Sequence, residues 1–258
     1  MADLIETRQQ GRLLRIALNR PEKRNALSVE LCRQLVNALD HAAADTGVGA
    51  VLLTANGKSF CAGMDLHEVL SVEAGEISRV QEQLFTVGAR MTTPIVAAVH
   101  GAALAGGTGL VANCHVAVAA EDAVFGLTEI RIGLWPFLIF RSMAAAVGER
   151  RAVEFALTGR TFGAAEAREC GLVHEIASPA GLEERATRIA TQLAHASPAA
   201  VRSGLMFVQE IRDRDWRQAG EIARNVRNQY FQTSDFREGV RAFQEKREPQ
   251  WPSLGREA

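Results

Sequence analysis

The stretch "GAALAGGTGL" at residues 101–110 contains four glycines, three alanines and no charged residue. It follows the apolar run "PIVAAVH" (94–100), which is typical of a buried strand, and "GTGLVANC" (107–114) can begin a helix. A strand that ends in glycines and continues as a helix presents unpaired backbone N–H groups, and the helix dipole makes them attractive to negative charge. The stretch therefore predicts a strand–turn–helix unit whose backbone approaches a ligand.

A second stretch of the chain has the same organisation. The apolar run "AVLLT" (50–54) leads through "ANGKS" into "FCAGMDLHEVL" (60–70), where we expect a loop to become a helix. Two such loops can each direct one N–H group at a single oxygen, which is the geometry of an oxyanion hole. The spacing alone leaves open that both are only tight strand–helix turns.

The rest of the chain predicts an α/β fold with a helical end. Strands are expected at 12–20, 115–120 and 123–127, and strand, glycine turn and helix recur, which favours a mostly parallel core. A helix is expected after Ser28, with Leu31, Leu35, Leu39 and Ala42 on one face. Beyond residue 137 the pattern is helical, with a last strand at 173–176 and amphipathic helices around 181–196, 199–213, 215–231 and 235–247. We place the core at 1–195 and a helical oligomerisation region at 196–258.

Composition excludes several classes of protein. The 258 residues have a formal net charge of -1, which argues against a nucleic-acid partner. Four scattered cysteines without a C-x-x-C pair favour neither a metal site nor a disulfide framework. The longest apolar stretch (94–120) is too polar for a membrane span, and the N-terminus lacks the apolar segment of a secretory signal. We expect a cytoplasmic protein.

Three segments resemble the enoyl-CoA hydratase/isomerase, or crotonase, family. They are "VLLTANGKSFCAGMDL" (51–66), "VAAVHGAALAGGTGL" (96–110) and "FGLTEIRIGL" (125–134), and "LNRPEKRNALS" (18–28) and "REGVRAFQEKR" (237–247) extend the likeness along the chain. The resemblance implies a spiral of ββα units and a C-terminal helical trimerisation region. It also implies a homotrimer or homohexamer that acts on acyl-CoA thioesters, with coenzyme A carried by the substrate and no other cofactor.

The same resemblance assigns roles to individual residues. Backbone N–H groups of Met64 and Gly106 would hold the thioester oxygen. Ala62, Asp65 and Leu66 would line the coenzyme A channel with backbone. Arg24 matches the segment that contacts the nucleotide, and Phe243 and Lys246 match an aromatic residue and a lysine that meet it, commonly from the adjacent subunit.

The acid–base residues distinguish the reactions of the family. The resemblance implies that hydratases of the family have two catalytic glutamates, at positions that correspond here to Gly109 and Glu129. This chain keeps only Glu129, as the isomerases do, and one base suffices to move a proton from the α to the γ carbon of a 3-enoyl-CoA. We therefore expect isomerisation to 2-trans-enoyl-CoA, with Trp135 and Phe137 at the acyl pocket.

Several alternatives stay open at the level of sequence. Phe125 and Leu127, with the two acyl-pocket aromatics, could raise the pKa of Glu129, but this residue could instead be a structural acid paired with Arg131. The nearest functional rival is a 2-enoyl-CoA hydratase that holds water with Glu129 alone. More distant rivals are a non-catalytic CoA-binding or RNA-binding member of the fold and a dinucleotide-dependent oxidoreductase.

Overall fold

The computed structural model describes residues 3–254, in which nine strands form two sheets. The large sheet has the order β1-β2-β3-β4-β6-β9 and is parallel except for the first pair, and the small sheet has the order β5-β7-β8. The strands are β1 (Ile5–Gln10), β2 (Leu13–Leu18), β3 (Ala50–Ala55), β4 (Ile95–Val99), β5 (Ala102–Leu104), β6 (Val116–Ala120), β7 (Val124–Gly126), β8 (Thr161–Gly163) and β9 (Glu175–Ala177).

Eleven α-helices connect and flank these strands within the described residues. They are α1 (Val29–Ala44), α2 (Ala74–Phe85), α3 (Val87–Arg90), α4 (Gly106–Ala112), α5 (Phe137–Val147), α6 (Glu149–Thr158), α7 (Ala164–Glu169), α8 (Leu182–Ala194), α9 (Pro198–Ile211), α10 (Trp216–Tyr230) and α11 (Ser234–Glu245). A 3-10 helix, Thr128–Ile132, follows β7.

The chain alternates between the two sheets as it advances. Strand β4 lies in the large sheet, β5 in the small sheet, and α4 follows; β6, β7 and α5 repeat this order. The segment after β3 follows the same order, because Cys61 in that segment forms a parallel bridge with Ala103 of β5 in the small sheet. The expected mostly parallel α/β core and its ββα spiral are confirmed.

The central strands β3, β4 and β6 of the large sheet are buried on both faces, which explains why they are nearly continuous apolar runs, whereas the edge strand β1 is exposed. Side chains on β4 alternate: Ile95, Ala97 and Val99 belong to the main core, and Val96 and Ala98 belong to a second core on the opposite face. Helix α8 covers that second face with a row of small residues four apart, Ala186, Ala190 and Ala194.

Most predicted elements are present, and one is wrong. Ser28 caps α1 by accepting the N–H of Leu31, as expected. The helix that was expected to begin within residues 60–70 does not form there, because residues 66–70 form turns and the next helix begins only at Ala74. The Asp65 carboxylate accepts the N–H of His67 and the Asp65 carbonyl accepts that of Glu68, which holds the chain in turns.

Helices α9 to α11 lie within the predicted C-terminal region, of which residues 255–258 are outside the described part, as are residues 1–2 of the predicted core. None of the residues of α9 and α10 is buried, although their sequences are amphipathic. The boundary at 195/196 stays a prediction. In the described chain, no helix is both long and apolar enough to span a membrane.

Candidate active site

A cavity of about 460 Å³ lies between the two glycine-containing loops, α2 and the start of α5. Seven of the predicted site residues line it together: Ala62, Met64, Leu66, Gly106, Glu129, Trp135 and Phe137. Apolar side chains make up most of the remaining wall, chiefly Val69, Ile77, Phe85, Ile132, Leu134, Leu138 and Ile139. Such a cavity suits an apolar ligand that meets a few convergent polar groups.

The first loop turns the N–H group of Met64 away from its neighbouring segment. The Gly63 carbonyl accepts the N–H of Leu27 at 2.7 Å, and the Asp65 N–H donates to the Leu27 carbonyl at 3.2 Å. Because backbone groups alternate in direction along an extended segment, the N–H of Met64 points to the opposite side. That N–H makes no hydrogen bond to any of residues 3–254.

The second loop turns sharply at Ala105, just before the cavity. Ala105 has φ 51° and ψ −121°, a backbone conformation that residues with a Cβ rarely adopt. Its N–H donates to the Gly126 carbonyl at 2.7 Å, which fixes the turn against β7. Gly106 is the first residue of α4, where an N–H group has no partner within the helix. The strained residue Ala105 therefore directly precedes Gly106 and sets the direction of its free N–H group.

The two loops touch each other through glycines. A Cβ on Gly63 would lie 2.8 Å from the Cβ of Ala105 and 3.3 Å from the Gly106 nitrogen. A Cβ on Gly107 would lie 2.2 Å from the Cys61 carbonyl oxygen. Larger residues at these positions would push the loops apart, so the glycines bring the N–H groups of Met64 and Gly106 to one wall of the cavity.

Glu129 supplies the one carboxyl group in the cavity wall. Its Oε2 is buried and has no hydrogen-bond partner in the described part of the chain. Burial raises the pKa of Glu129 to about 7, although its own backbone N–H opposes this shift. The sequence left open an ion pair between Glu129 and Arg131, and the described residues do not form it. The Arg131 side chain lies beside Gly159 instead.

Gly109 lies behind the cavity, against Ile139 of α5. A Cβ on Gly109 would lie 2.3 Å from the Ile139 Cγ2 and 2.7 Å from its Cβ. Ile139 is 3% exposed and lines the cavity. The space beside Gly109 is therefore filled, and an acidic side chain could not be accommodated there without moving α5.

The predicted aromatic surroundings of Glu129 are partly correct. Trp135 and Phe137 line the cavity, and the Trp135 ring packs against Phe140 with centroids 5.7 Å apart. Phe125 and Leu127 are fully buried in the main core and do not line the cavity. Their side chains point inward because they flank the end of β7, where alternate residues face the core.

Four of the residues predicted to meet the coenzyme A portion, Arg24, Ala62, Asp65 and Leu66, lie on or near the first loop. Leu66 is half exposed at the rim of the cavity, and the Ala62 N–H donates to the carbonyl of Arg24 at 3.0 Å. Asp65 does not line the cavity, and its carboxylate accepts a hydrogen bond from Arg20 at 2.5 Å. Burial alone would raise the pKa of Asp65, but the hydrogen bonds from Arg20 and the His67 N–H hold it below the usual value.

Phe243 and Lys246 lie on α11 and at its end, away from the wall of this cavity. Phe243 is 86% exposed, and it borders a separate apolar groove with Trp251 and Tyr230. Within one chain these two residues therefore do not meet the other predicted site residues.

Several residues of the site carry no signal in the sequence. Ile139 and Phe85 reach the glycine loop from helices that are distant along the chain, and Phe85 Cζ would lie 3.0 Å from a Cβ on Gly106. Asn25 is fully buried with φ 53°, and its amide donates to the carbonyls of Asn56 and Ser59 below the first loop. Only the tertiary structure brings these groups together.

Fold and site together define a class of protein: an α/β spiral that places two free backbone N–H groups and one half-buried carboxyl group around an apolar cavity. The sequence matches the model of the family described as enoyl-CoA hydratase/isomerase over residues 8–254. The chain belongs to this family and is a crotonase-family acyl-CoA enzyme.

Individual relatives agree with this assignment. The 2,3-dehydroadipyl-CoA hydratase of Escherichia coli is 34% identical, over 96% of this chain and 98% of that protein. An enoyl-CoA hydratase of Mycobacterium tuberculosis is 34% identical, over 95% and 94%. The crystal structure of an enoyl-CoA hydratase from Mycobacterium smegmatis is 31% identical and superimposes with a TM-score of 0.92, covering 97% of this chain and 99% of that one.

Proposed function

We propose that this enzyme isomerises 3-enoyl-CoA to 2-trans-enoyl-CoA, with Glu129 as the one proton shuttle. The proposal rests on two observations: Glu129 is half-buried with an Oε2 atom that is buried and has no hydrogen-bond partner among the described residues, and Ile139 closes the position of Gly109. Hydration calls for a positioned water and for proton delivery, which two carboxylates share most readily. A 1,3-proton shift needs only one.

In the proposed reaction the thioester oxygen accepts hydrogen bonds from the N–H groups of Met64 and Gly106. The Glu129 carboxylate removes a proton from C2, and the electron pair of that C–H bond forms the new C2–C3 double bond as the enolate collapses. The C3–C4 double bond takes the proton back from Glu129 at C4. Backbone donors stabilise the enolate charge, and a single donor of this kind contributes about 2.7–4 kcal/mol to the transition state.

The surroundings of Glu129 suit this role. A general base works best when its pKa lies near the working pH, and the carboxyl group of Glu129 has its pKa raised to about 7. The reaction requires no cofactor, because coenzyme A arrives as part of the substrate.

Water addition to 2-enoyl-CoA is the second candidate. It is favoured by the names of the relatives, since those in Escherichia coli and Mycobacterium tuberculosis are both called hydratases. In that case Glu129 alone would position the water.

We also propose assembly into a homotrimer or homohexamer in which Phe243 and Lys246 reach the coenzyme A of a neighbouring subunit. The large exposure of Phe243 and the exposed amphipathic faces of α9 and α10 support this arrangement. Arg24 lies on the surface beside the first loop, where it could meet the same nucleotide.

The test is Glu129→Gln, assayed on 3-enoyl-CoA and 2-enoyl-CoA of one chain length. We expect isomerisation to fall by on the order of 10²–10⁴-fold, because the neutral amide cannot accept the C2 proton. Glu121→Gln, which changes an exposed glutamate near β6, is the matched control and should retain full activity. Full activity of Glu129→Gln on both substrates would refute the assignment of this residue.

A further inference from the structure

Three polar side chains of the cavity wall, Ser78, Gln81 and Thr128, have no role in the proposed proton transfer, and Gln81 is the most buried of them. Gln81 lies on α2, is 8% exposed and lines the cavity. Ile77 and Phe85, four residues to either side, line the same cavity. Because residues four apart share one face of a helix, the amide of Gln81 lies in an otherwise apolar row.

The Gln81 side chain is unpartnered. Between residues 3 and 254 its amide forms no hydrogen bond, neither to Glu129 nor to any other group. The amide atoms are not completely buried either. Among the described residues, the fully buried side-chain polar atoms that lack a partner are Arg15 Nε and Glu129 Oε2. The amide therefore remains accessible, and the surface that Gln81 contributes to the cavity is where a ligand can reach it.

The position of Gln81 along α2 gives a distance scale. Phe85 marks the end of α2 that meets the second glycine loop, since its Cζ would lie 3.0 Å from a Cβ on Gly106. Gln81 is one turn away, about 6 Å along the helix axis at 1.5 Å per residue. That distance corresponds to about four or five single bonds of an acyl chain that begins at the loop.

The charges around the cavity restrict the group that Gln81 can bind. The lining residues include no lysine, arginine or histidine, and Glu129 is the one ionisable group among them. An anionic group on the acyl chain would be buried without a counter-charge and close to a carboxylate, which is unfavourable. A neutral oxygen can accept from or donate to the amide at no such cost.

We propose that Gln81 determines substrate specificity by binding a neutral oxygen, a hydroxyl or a keto group, in the middle of the acyl chain. The inference rests on the proposed function only in taking the cavity as the acyl site. The substrates are then enoyl-CoA esters with an oxygenated acyl chain, and plain hydrocarbon chains leave the amide unpaired. A site built to pair with a substrate oxygen discriminates against the analogue that lacks it, because its own polar group then stays unsatisfied.

Binding of saturated esters tests the proposal without any chemical step. Calorimetric titration compares octanoyl-CoA with its 5-, 6- and 7-hydroxy derivatives and with octanedioyl-CoA, which carries a terminal carboxylate. We expect at least one hydroxy ester to bind the wild-type enzyme on the order of tenfold more tightly than octanoyl-CoA, and octanedioyl-CoA to bind more weakly. Equal or weaker binding of all three hydroxy esters, or tightest binding of the diacid ester, would overturn the proposal.

Two variants assign the preference to this side chain. Gln81→Leu removes the amide at similar volume and should abolish the preference for the hydroxy ester. Gln83→Leu makes the same change on the exposed face of α2 and should leave it intact. Retention of the preference in Gln81→Leu would contradict the role of Gln81.

These results are separable from the proposed function. An enzyme that isomerises through Glu129 but binds octanoyl-CoA as well as every hydroxy ester refutes the role of Gln81 alone. A preference for the hydroxy ester that Gln81→Leu removes supports it even if Glu129→Gln stays active. Failure to bind any of the esters would overturn both.

Discussion

At the scale of single residues, the site depends on a carboxyl group in apolar surroundings. Glu129 Oε2 has no hydrogen-bond partner among the described residues, and Trp135 and Phe137 lie along the same wall. Desolvation disfavours the charged form, so the carboxyl group takes up a proton at higher pH than an exposed glutamate. An acid of this kind can both accept and return a proton near neutral pH.

The raised pKa predicts the pH dependence of the reaction. The carboxylate form is needed to remove the C2 proton, and the pKa of Glu129 in the free enzyme is about 7. Isomerase kcat/KM should therefore fall as pH decreases below about 7, close to tenfold per pH unit, and level off above it. Initial rates on 3-enoyl-CoA at a series of pH values measure this directly.

A control separates the titration of Glu129 from unfolding or substrate ionisation. The affinity for a saturated acyl-CoA should change far less with pH than kcat/KM does. A kcat/KM that is constant from about pH 5 to 8 would show that Glu129 is not the base.

At the scale of elements, the packing of α4 against α5 determines which side chains can surround the substrate. Gly109 of α4 and Ile139 of α5 fit together so closely that a Cβ on the glycine has no room. Gly109→Glu alone should lower the free energy of unfolding by about 1–3 kcal/mol and reduce isomerase activity, because it overpacks this contact.

Enlarging the space should rescue that variant. In Gly109→Glu/Ile139→Ala the contact with the Ile139 Cγ2 at 2.3 Å is removed and only the contact with its Cβ at 2.7 Å remains. We therefore expect partly recovered stability and faster water addition to 2-enoyl-CoA. Ile139→Ala alone is the matched control and should gain no hydratase activity. Thermal unfolding and the two activity assays measure these changes, and a double variant that folds but adds water no faster than wild type would contradict this account of the site.

Elements of this fold were predictable where their periodicity reflects burial. The central strands β3, β4 and β6 of the large sheet are almost entirely apolar because both of their faces are covered, and α1 carries its buried leucines at helical spacing. The expectation of a helix beginning within residues 60–70 was wrong, because side-chain and backbone groups of Asp65 hold the segment after it in turns. Composition does not reveal such local competition.

The site was predictable only in part. The resemblance identified Met64, Gly106 and Glu129, and the structure brings all three to one cavity, although their roles stay proposals. The contacts of Ile139 with Gly109 and of Phe85 with Gly106 join segments 30 and 21 residues apart, and no local pattern encodes them. Gln81 was missed because a glutamine in an amphipathic helix is usually exposed, so the sequence does not show that this one is buried beside the cavity.

At the scale of the whole molecule, the proposed site is incomplete in one chain. Phe243 and Lys246 do not meet the cavity, and Phe243 is largely exposed. An assembly of three chains would have three times the 27.9 kDa of one, or six times for a hexamer. Its formation would cover apolar side chains on α9 to α11.

Lys246 provides a prediction at this scale. Lys246→Gln should raise the KM for an acyl-CoA by about tenfold and leave kcat unchanged, since in the proposed assembly it removes a charge that would face a phosphate. An acyl-pantetheine ester, which lacks the nucleotide, should react equally well with both proteins. Lys58→Gln, at another exposed lysine, is the control. Equal losses with both esters would show that Lys246 does not bind the nucleotide.

The central claim, that one carboxyl group isomerises the double bond and adds little water, can be tested in one labelling experiment with two substrates. A 3-enoyl-CoA, and separately a 2-enoyl-CoA of the same chain length, is incubated with the enzyme in ¹⁸O-labelled water, and the products are followed with time by mass spectrometry. We expect unlabelled 2-trans-enoyl-CoA to accumulate first, with ¹⁸O-labelled 3-hydroxyacyl-CoA forming much more slowly or not at all. If labelled 3-hydroxyacyl-CoA forms from 2-enoyl-CoA faster than 3-enoyl-CoA is isomerised, this result contradicts the claim and identifies the enzyme as a hydratase.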